Sequence, residues 1–128
     1  MQGQLLAAIA FGGALGAVAR HLAVGQVALW AGPGFLFGTL AVNVVGSFAM
    51  GAIVELSALV WSPSPELRAF LTVGFLGAFT TFSTFSLDAA LLYERGELLL
   101  CAAYVAASVA LSVGGFFAAV ALLRAALT

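Results

Sequence analysis

The fold depends most on residues 74–86, which read Gly74-Phe75-Leu76-Gly77-Ala78-Phe79-Thr80-Thr81-Phe82-Ser83-Thr84-Phe85-Ser86. Five of the seven residues from 80 to 86 carry hydroxyl groups. The stretch lies at the middle of an apolar window, Leu67 to Tyr93, that is long enough to cross a membrane. Glycine and threonine lower helix propensity, and irregular backbone at membrane depth is tolerated only where protein or a water-filled cavity satisfies it. The stretch therefore predicts a membrane helix that is broken near Gly77 to Thr81.

Three more apolar windows of membrane-spanning length account for nearly all of the remaining chain. They run from Leu5 to Leu29, from Phe35 to Trp61 and from Leu98 to Arg124. Proline, glycine and charged residues separate the windows at positions 31–34, 62–66 and 94–97, and such residues favour turns at the membrane surface. The predicted fold class is an all-α membrane protein, with four transmembrane helices in one transmembrane domain that covers residues 1–128.

The composition indicates that lipid is the solvent for most of this chain. Of its 128 residues, 64% are hydrophobic and only 7% are charged, lysine is absent, and the mean hydropathy is +1.21. Soluble domains have about a quarter of their residues charged. No residues remain for an extramembrane domain, which excludes most classes of soluble enzyme. A net charge of −1 gives no reason to expect a nucleic-acid partner.

The arginines give no clear orientation in the membrane. Four spans place both termini on one side, together with Arg68 and Arg124. The opposite side carries Arg95, and Arg20 if that side chain reaches the interface. Because orientation follows the bias of positive charge between loops, two arginines against two predict insertion in both orientations and pairing of inverted copies about an in-plane two-fold axis. The alternative is that four arginines are too few to determine orientation.

Asn43 is a polar residue inside the second window, with Ser47 on the same helix face one turn later. Its amide offers two hydrogen-bond donors. One interpretation is an interhelical hydrogen bond, which is worth about 0.6 kcal/mol on average in membranes. The other is a group that lines a pathway, since polar residues at this depth usually face a partner or a cavity.

The fourth window carries Tyr104, Ser108 and Ser112 at a spacing that makes one continuous polar stripe. Serine can also bond to the carbonyl four residues earlier, but three polar residues in succession favour a hydrated track. In the third window, Phe82 and Phe85 share a helix face. Core packing is the usual role of such a pair, and the surrounding hydroxyl groups favour a functional one.

Charged side chains are scarce in the same regions. Neither of the first two windows has a carboxylate at its middle that could relay protons. Arg20 interrupts the first window, where it could extend to the surface or make an entrance attractive to anions. Neutral donors with a positive entrance suggest a pathway for a small anion.

Three stretches of this chain resemble the Fluc family of bacterial fluoride channels, also called CrcB. They read GGALGAVAR at residues 12–20, GTLAVNVVGSF at residues 38–48 and GFLGAFTTFSTF at residues 74–85. The Asn-x-x-Gly-Ser and Thr-Thr-Phe-Ser-Thr-Phe motifs are the specific ones, and with the loop spacing the resemblance covers the whole chain. It implies a multi-pass protein of the bacterial plasma (inner) membrane that exports fluoride passively and gives fluoride resistance. It also implies an antiparallel, dual-topology homodimer with two pores.

The resemblance further implies roles for individual residues. It assigns Asn43, Phe82 and Phe85 to the pore, and a structural sodium ion at the dimer interface to the backbone carbonyls of Gly77 and Thr80. The candidate fluoride-pore residues, including the hydroxyl and guanidinium groups of the clusters above, are Asn43, Phe82, Phe85, Ser83, Thr84, Tyr104, Ser108, Ser112 and Arg20. Fluoride is strongly hydrated, so its pore must replace the bound water with hydrogen-bond donors. The edge of an aromatic ring is electropositive, so Phe82 and Phe85 could also contact the anion.

Two other functions are disfavoured by the residues present. A four-helix drug exporter of the small multidrug resistance class needs an acidic residue in the first span, and residues 5–29 contain none. An intramembrane hydrolase needs a nucleophile with a base. The only histidine is His21, and Ser83 lies in a different span at a different depth. The sequence thus predicts a channel and not an enzyme.

Overall fold

The computed structural model describes residues 1–32 and 36–128, and every regular element in these ranges is helical. Four helical segments in the described ranges are long and apolar enough to cross a membrane. We label the helices α1 (Gln2–Ala31), α2 (Leu36–Leu59), α3a (residues 65–79), α3b (Phe82–Glu94) and α4 (Leu98–Leu127). The predicted turn at Pro33 and Gly34, and the predicted start of the second span at Phe35, lie outside the described residues. The all-α membrane fold with an interrupted third span is confirmed.

The third span changes its helical form before it breaks. Helix α3a is α-helical over Pro65–Ala69, π-helical over Phe70–Leu76 and α-helical again over Gly77–Phe79. Ser64 caps its start, because the Ser64 hydroxyl accepts a hydrogen bond of 3.1 Å from the Leu67 amide and Pro65 follows at the first helical position. Short π-helical segments are frequent at functional sites.

The break itself consists of two residues in extended conformation. Thr80 has φ −87° and ψ 159°, and Thr81 has φ −153° and ψ 120°. The Thr81 hydroxyl then accepts a hydrogen bond of 3.1 Å from the Thr84 amide and so caps the start of α3b. The break lies at the carboxyl end of the predicted region. Threonine is a poor helix former within a helix but a good cap at its start, and Thr81 has the second role here.

Glycines allow α1 and α3a to cross with their backbones in contact. A Cβ atom on Gly16 would lie 2.9 Å from the carbonyl carbon of Phe75, and one on Gly74 would lie 2.7 Å from the carbonyl oxygen of Ile9. No side chain fits at these distances, which is why small residues are enriched where membrane helices touch. By contrast, a Cβ on Gly25 of α1 would meet nothing within 4 Å.

Helices α1 and α3a form the most extensive helix pair in the described chain, and α2 and α4 form the next one. A Cβ on Gly51 would lie 3.1 Å from the carbonyl carbon of Phe116, so this pair is also in close backbone contact. Near the chain terminus, the Arg124 guanidinium forms a 2.9 Å ion pair with the buried carboxylate of Glu55. The two contacts fix the register of α4 along α2.

A tight turn returns the chain from α3b to α4. Gly96 has φ 77°, a conformation that L-residues with a side chain rarely adopt. The Cys101 thiol of α4 then donates a hydrogen bond of 3.3 Å to the Ala89 carbonyl of α3b. The turn and this hydrogen bond hold the end of α3b against the start of α4.

Candidate ion pathway

Asn43 bridges the break in the third span with two hydrogen bonds. Its side-chain oxygen, Oδ1, accepts a hydrogen bond of 2.7 Å from the Thr81 backbone amide. Its side-chain nitrogen, Nδ2, donates one of 3.0 Å to the Thr81 carbonyl. The Asn43 side chain thus takes the place of the helical partners that Thr81 lacks. Since unpaired peptide groups are costly in lipid, the interhelical hydrogen bond considered for Asn43 is an integral part of the break.

The threonine hydroxyls supply further partners at the break. Thr80 donates from its hydroxyl to the Leu76 carbonyl at 2.9 Å, and its amide donates to the same carbonyl at 3.0 Å. The Thr81 hydroxyl, besides capping Thr84, donates to the Thr84 hydroxyl at 3.2 Å. These hydroxyls are therefore engaged with the chain itself.

A groove of about 290 Å³, which we call the polar groove, runs beside the break between α2, α3b and α4. It is lined by Asn43, Ser47, Thr80, Thr81, Phe82, Phe85, Ser108, Val109, Ser112 and Val113. Five of the predicted pore residues, from three different helices, thus meet at one place: Asn43, Phe82, Phe85, Ser108 and Ser112. None of the lining residues carries a charge.

Two serine hydroxyls in the polar groove have no hydrogen-bond partner. The Oγ atoms of Ser108 and Ser112 are buried, and no described residue donates to them or accepts from them. Neither serine uses the carbonyl of its own preceding turn. A buried polar group without a partner costs about 1–3 kcal/mol, so these hydroxyls are suited to a polar guest in the groove.

The two phenylalanines of the polar groove differ greatly in exposure. The Phe82 ring is 77% exposed, whereas Phe85 is 8% exposed. Their ring centroids lie 5.3 Å apart with the planes tilted by 54°, and Phe85 in turn lies 5.4 Å from the ring of Tyr104. Phe85 is held by packing, and Phe82 projects from the groove at an open face of this chain.

Tyr104, Ser83 and Thr84 do not line the polar groove. The buried Tyr104 hydroxyl donates a hydrogen bond of 2.9 Å to the Asp88 carboxylate, which is also buried. Ser83 and Thr84 lie against the Thr81 hydroxyl, at 3.3 Å and 3.2 Å respectively. Of the polar stripe on α4, Ser108 and Ser112 therefore line the groove, whereas the Tyr104 ring lies outside it and packs against Phe85.

The fourth residue outside the groove is Arg20, whose Nε donates a hydrogen bond of 3.0 Å to the Ala78 carbonyl. Thr81, which pairs with Asn43, and Asp88, which pairs with Tyr104, are not among the site residues that the sequence predicts. A threonine just before a helical stretch is a recognisable cap signal, and a carboxylate inside a membrane window usually has a polar partner. Both signals were present without indicating the partner.

A second groove of about 290 Å³, which we call the carbonyl groove, adjoins the polar groove and shares Ser47, Thr80, Ser112 and Val113 with it. It is lined by Gly46, Ser47, Met50, Leu76, Gly77, Thr80, Ser112, Val113 and Phe116. Among the described residues, no hydrogen-bond donor reaches the carbonyl oxygens of Gly77 or Thr80. Carbonyl dipoles of this kind suit a hard cation. The described ranges contain no group of three or more His, Cys, Asp or Glu side chains that could hold a metal ion.

We expect Asn43→Ala to destabilise the break, because Thr81 would lose partners for both its amide and its carbonyl. Buried polar groups left without partners cost about 1–3 kcal/mol each. Thermal unfolding in detergent should shift down by several degrees, and hydrogen exchange over residues 80–84 should accelerate. Ser47→Ala is the matched control, since Ser47 lies one turn along the same face and makes no hydrogen bond in the described chain. Equal stability of the two variants would contradict this role of Asn43.

The chain resembles known proteins over most of its length. Residues 7–121 match the family described as CrcB-like protein, Camphor Resistance (CrcB). The chain is 58% identical over 123 residues to the fluoride-specific ion channel FluC of Rhodospirillum centenum, with 96% of this chain and 98% of that protein covered. It is 54% identical to FluC of Rhizobium etli, with 91% and 94% covered, and 52% identical to FluC of Agrobacterium fabrum, with 93% and 95% covered. This multi-pass membrane protein therefore belongs to the CrcB family.

Proposed function

We propose that this chain forms a fluoride-selective channel that lets fluoride leave the bacterial cell passively across the plasma membrane and so confers fluoride resistance. The observation that carries the proposal is the polar groove, in which the buried Ser108 and Ser112 hydroxyls have no partner in the described chain. The relatives at 52–58% identity are named as fluoride-specific ion channels. The function is ion conduction and involves no chemical conversion.

The chemistry of the polar groove suits a small, strongly hydrated anion. Fluoride must give up water to enter, and serine hydroxyls and the Asn43 amide can donate in its place. Phe82 and Phe85 add the electropositive edges of their rings. Because no lining residue is charged, the anion meets dipoles that solvate it without holding it, and conduction needs binding weak enough to release the ion.

Ion efflux from liposomes that contain the purified protein tests the proposal. We expect rapid fluoride efflux and no comparable chloride efflux. Phe82→Ile and Phe85→Ile keep an apolar side chain but remove the ring edge, and fluoride flux should fall by about tenfold or more, which corresponds to about 1.4 kcal/mol of barrier.

Phe117→Ile serves as the matched control for the aromatic variants. Phe117 is a 64% exposed phenylalanine on α4 that packs edge-on against Phe116 and does not line the polar groove. The Phe117→Ile variant should conduct fluoride like the wild type. Equal efflux of chloride and fluoride, or efflux of neither, would overturn the channel assignment. Wild-type flux in both groove variants would remove the aromatic role alone.

We propose that two copies in opposite orientations complete the channel as a homodimer with two pores. The 77% exposure of the Phe82 ring beside the polar groove supports a second copy, because a ring that lines a pore needs a facing wall. The even distribution of Arg68 and Arg124 against Arg95 and Arg20 supports dual orientation. Pores of this kind would be lined by phenylalanines from both copies.

Cysteine labelling tests the dual orientation. We expect a membrane-impermeant maleimide to label about half of a Glu97→Cys variant from each side of the membrane, as an unbiased charge distribution predicts. Glu97 is exposed in the turn before α4 and its side chain makes no cap bond, whereas a cysteine at Gly96 would strain a φ of 77°. Cys101→Ser provides the background, since serine can still donate to the Ala89 carbonyl. Labelling from one side only would refute dual orientation.

We propose that a structural sodium ion joins the two copies on their two-fold axis, held by the Gly77 and Thr80 carbonyls. Support comes from the carbonyl groove, where these two oxygens receive no donor from the described residues and Gly77 is exposed. Two copies would supply four carbonyl oxygens without a carboxylate, which fits a monovalent ion better than Ca²⁺, with its preference for six to eight oxygens. The family resemblance favours sodium over potassium.

Replacement of Na⁺ by N-methylglucamine tests the ion. We expect both fluoride flux and the stability of the dimer to decrease, because the gathered carbonyls would lose the charge that holds them together. The dimer fraction can be followed by crosslinking in the same vesicles. If flux and dimer fraction are both indifferent to the exchange, water and the threonine hydroxyls alone satisfy the break.

A further inference from the structure

Arg20 reaches from α1 to the broken end of α3a. Its Nε donates a hydrogen bond of 3.0 Å to the carbonyl of Ala78, which lies in the last turn before the break. The side chain is half-buried, and no other hydrogen bond to it occurs in the described chain. The guanidinium is therefore directed at backbone and not at the polar groove, whose lining does not include Arg20.

The target of Arg20 is a carbonyl that the break has deprived of its helical donor. The last carbonyls of a helix have no partners within it, and they form the negative end of the helix dipole, where a cation is favourable. The neighbouring Leu76 carbonyl accepts from Thr80, and the Thr81 carbonyl accepts from Asn43. Within the described residues, Arg20 thus supplies the one donor that reaches the Ala78 carbonyl from outside its own helix.

The sequence of α1 explains why Arg20 arrives at this point. Gly12, Gly16 and Arg20 follow one another at intervals of four residues and share a helix face. The two glycines lie in backbone contact with α3a, at Phe70, Gly74 and Phe75. Arg20 continues the same face one turn beyond the close contact, where a long side chain has room to reach the end of α3a.

We propose that Arg20 is a positioning residue for conduction: its Nε–H fastens the Ala78 carbonyl to α1 and so fixes the direction of the Gly77 and Thr80 carbonyls on either side. The role rests on the proposed channel function, but it differs from that of an entrance charge that attracts anions. What matters is a donor at the position of Nε, and the net positive charge is secondary. Helix α1 thus holds the end of α3a, whose residue Gly77 lines the carbonyl groove.

Three substitutions separate the donor from the charge. In Arg20→Gln the amide nitrogen is bonded to Cδ, as Nε is in arginine, so an N–H remains at the same place without the charge. Arg20→Lys keeps the charge but puts a methylene at that position. Arg20→Met removes both. An entrance charge and a positioning donor therefore rank the first two variants in opposite order.

We expect Arg20→Gln to retain fluoride flux within about threefold of the wild type, and Arg20→Lys and Arg20→Met to lose about tenfold or more. Hydrogen exchange over residues 76–84 should accelerate in the lysine and methionine variants and stay near wild type in the glutamine variant. Between low and high ionic strength, the glutamine variant and the wild type should respond alike, since screening weakens only the effect of an exposed charge.

The opposite ranking would overturn the proposal. If Arg20→Lys conducts and Arg20→Gln does not, and the glutamine defect shrinks as salt rises, then Arg20 acts as an entrance charge. Size-exclusion profiles identify a variant that fails to fold, and conduction by Arg20→Gln still decides the question in that case. Failure of the wild type to pass fluoride would overturn the channel function itself, whereas the exchange data on residues 76–84 test the role of Arg20 independently.

Discussion

The peptide groups at Thr80 and Thr81 place the strongest constraint on this molecule. Within lipid no water is present to satisfy backbone that leaves a helix, so the groups at the break depend on other partners, and the described residues supply them for Thr81 but not for the carbonyls of Gly77 and Thr80. Asn43 pairs with both peptide groups of Thr81, and the Thr80 hydroxyl returns to Leu76. The partners come from two different helices and hold α2 beside the break. These hydrogen bonds stabilise the break, and the polar groove forms beside it because Asn43 holds α2 there.

Close helix crossings bring the neighbouring helices together around the break. Glycine allows the helix axes to approach closely at Gly16 and Gly74 between α1 and α3a, and at Gly51 between α2 and α4. The Glu55–Arg124 ion pair fixes the α2–α4 register further along the bundle. As a result Ser108 and Ser112 face Asn43 across a space that no side chain of the described chain fills.

The sequence was sufficient to predict four membrane-spanning helices, the location of the break and five of the nine candidate pore residues that meet beside it. Window length, hydroxyl density and helical spacing are local properties, and the polar groove brings together Asn43, Phe82 and Ser112 from three helices. The partners were not predictable in the same way. Whether the Asn43 amide faced a side chain or the backbone, and whether Tyr104 turned toward Asp88 or toward the groove, depends on how three helices are rotated against each other. No local pattern encodes that rotation.

The charged side chains inside the bundle are paired outside the polar groove, and this bears on the proposed channel function. The Asp88 carboxylate is occupied by the Tyr104 hydroxyl, Glu55 by Arg124, and the Arg20 guanidinium by the Ala78 carbonyl. Each of these groups lies outside the groove lining, which is neutral. An ion in the groove therefore interacts with hydroxyl, amide and ring-edge dipoles, whose fields fall off faster with distance than that of a charge. Dipoles at contact distance reward a small anion more than a large one, because the small ion brings its charge closer to each donor. If the proposed channel conducts through this groove, pairing of the charges outside its lining lets size, and not net charge, decide which anion is solvated.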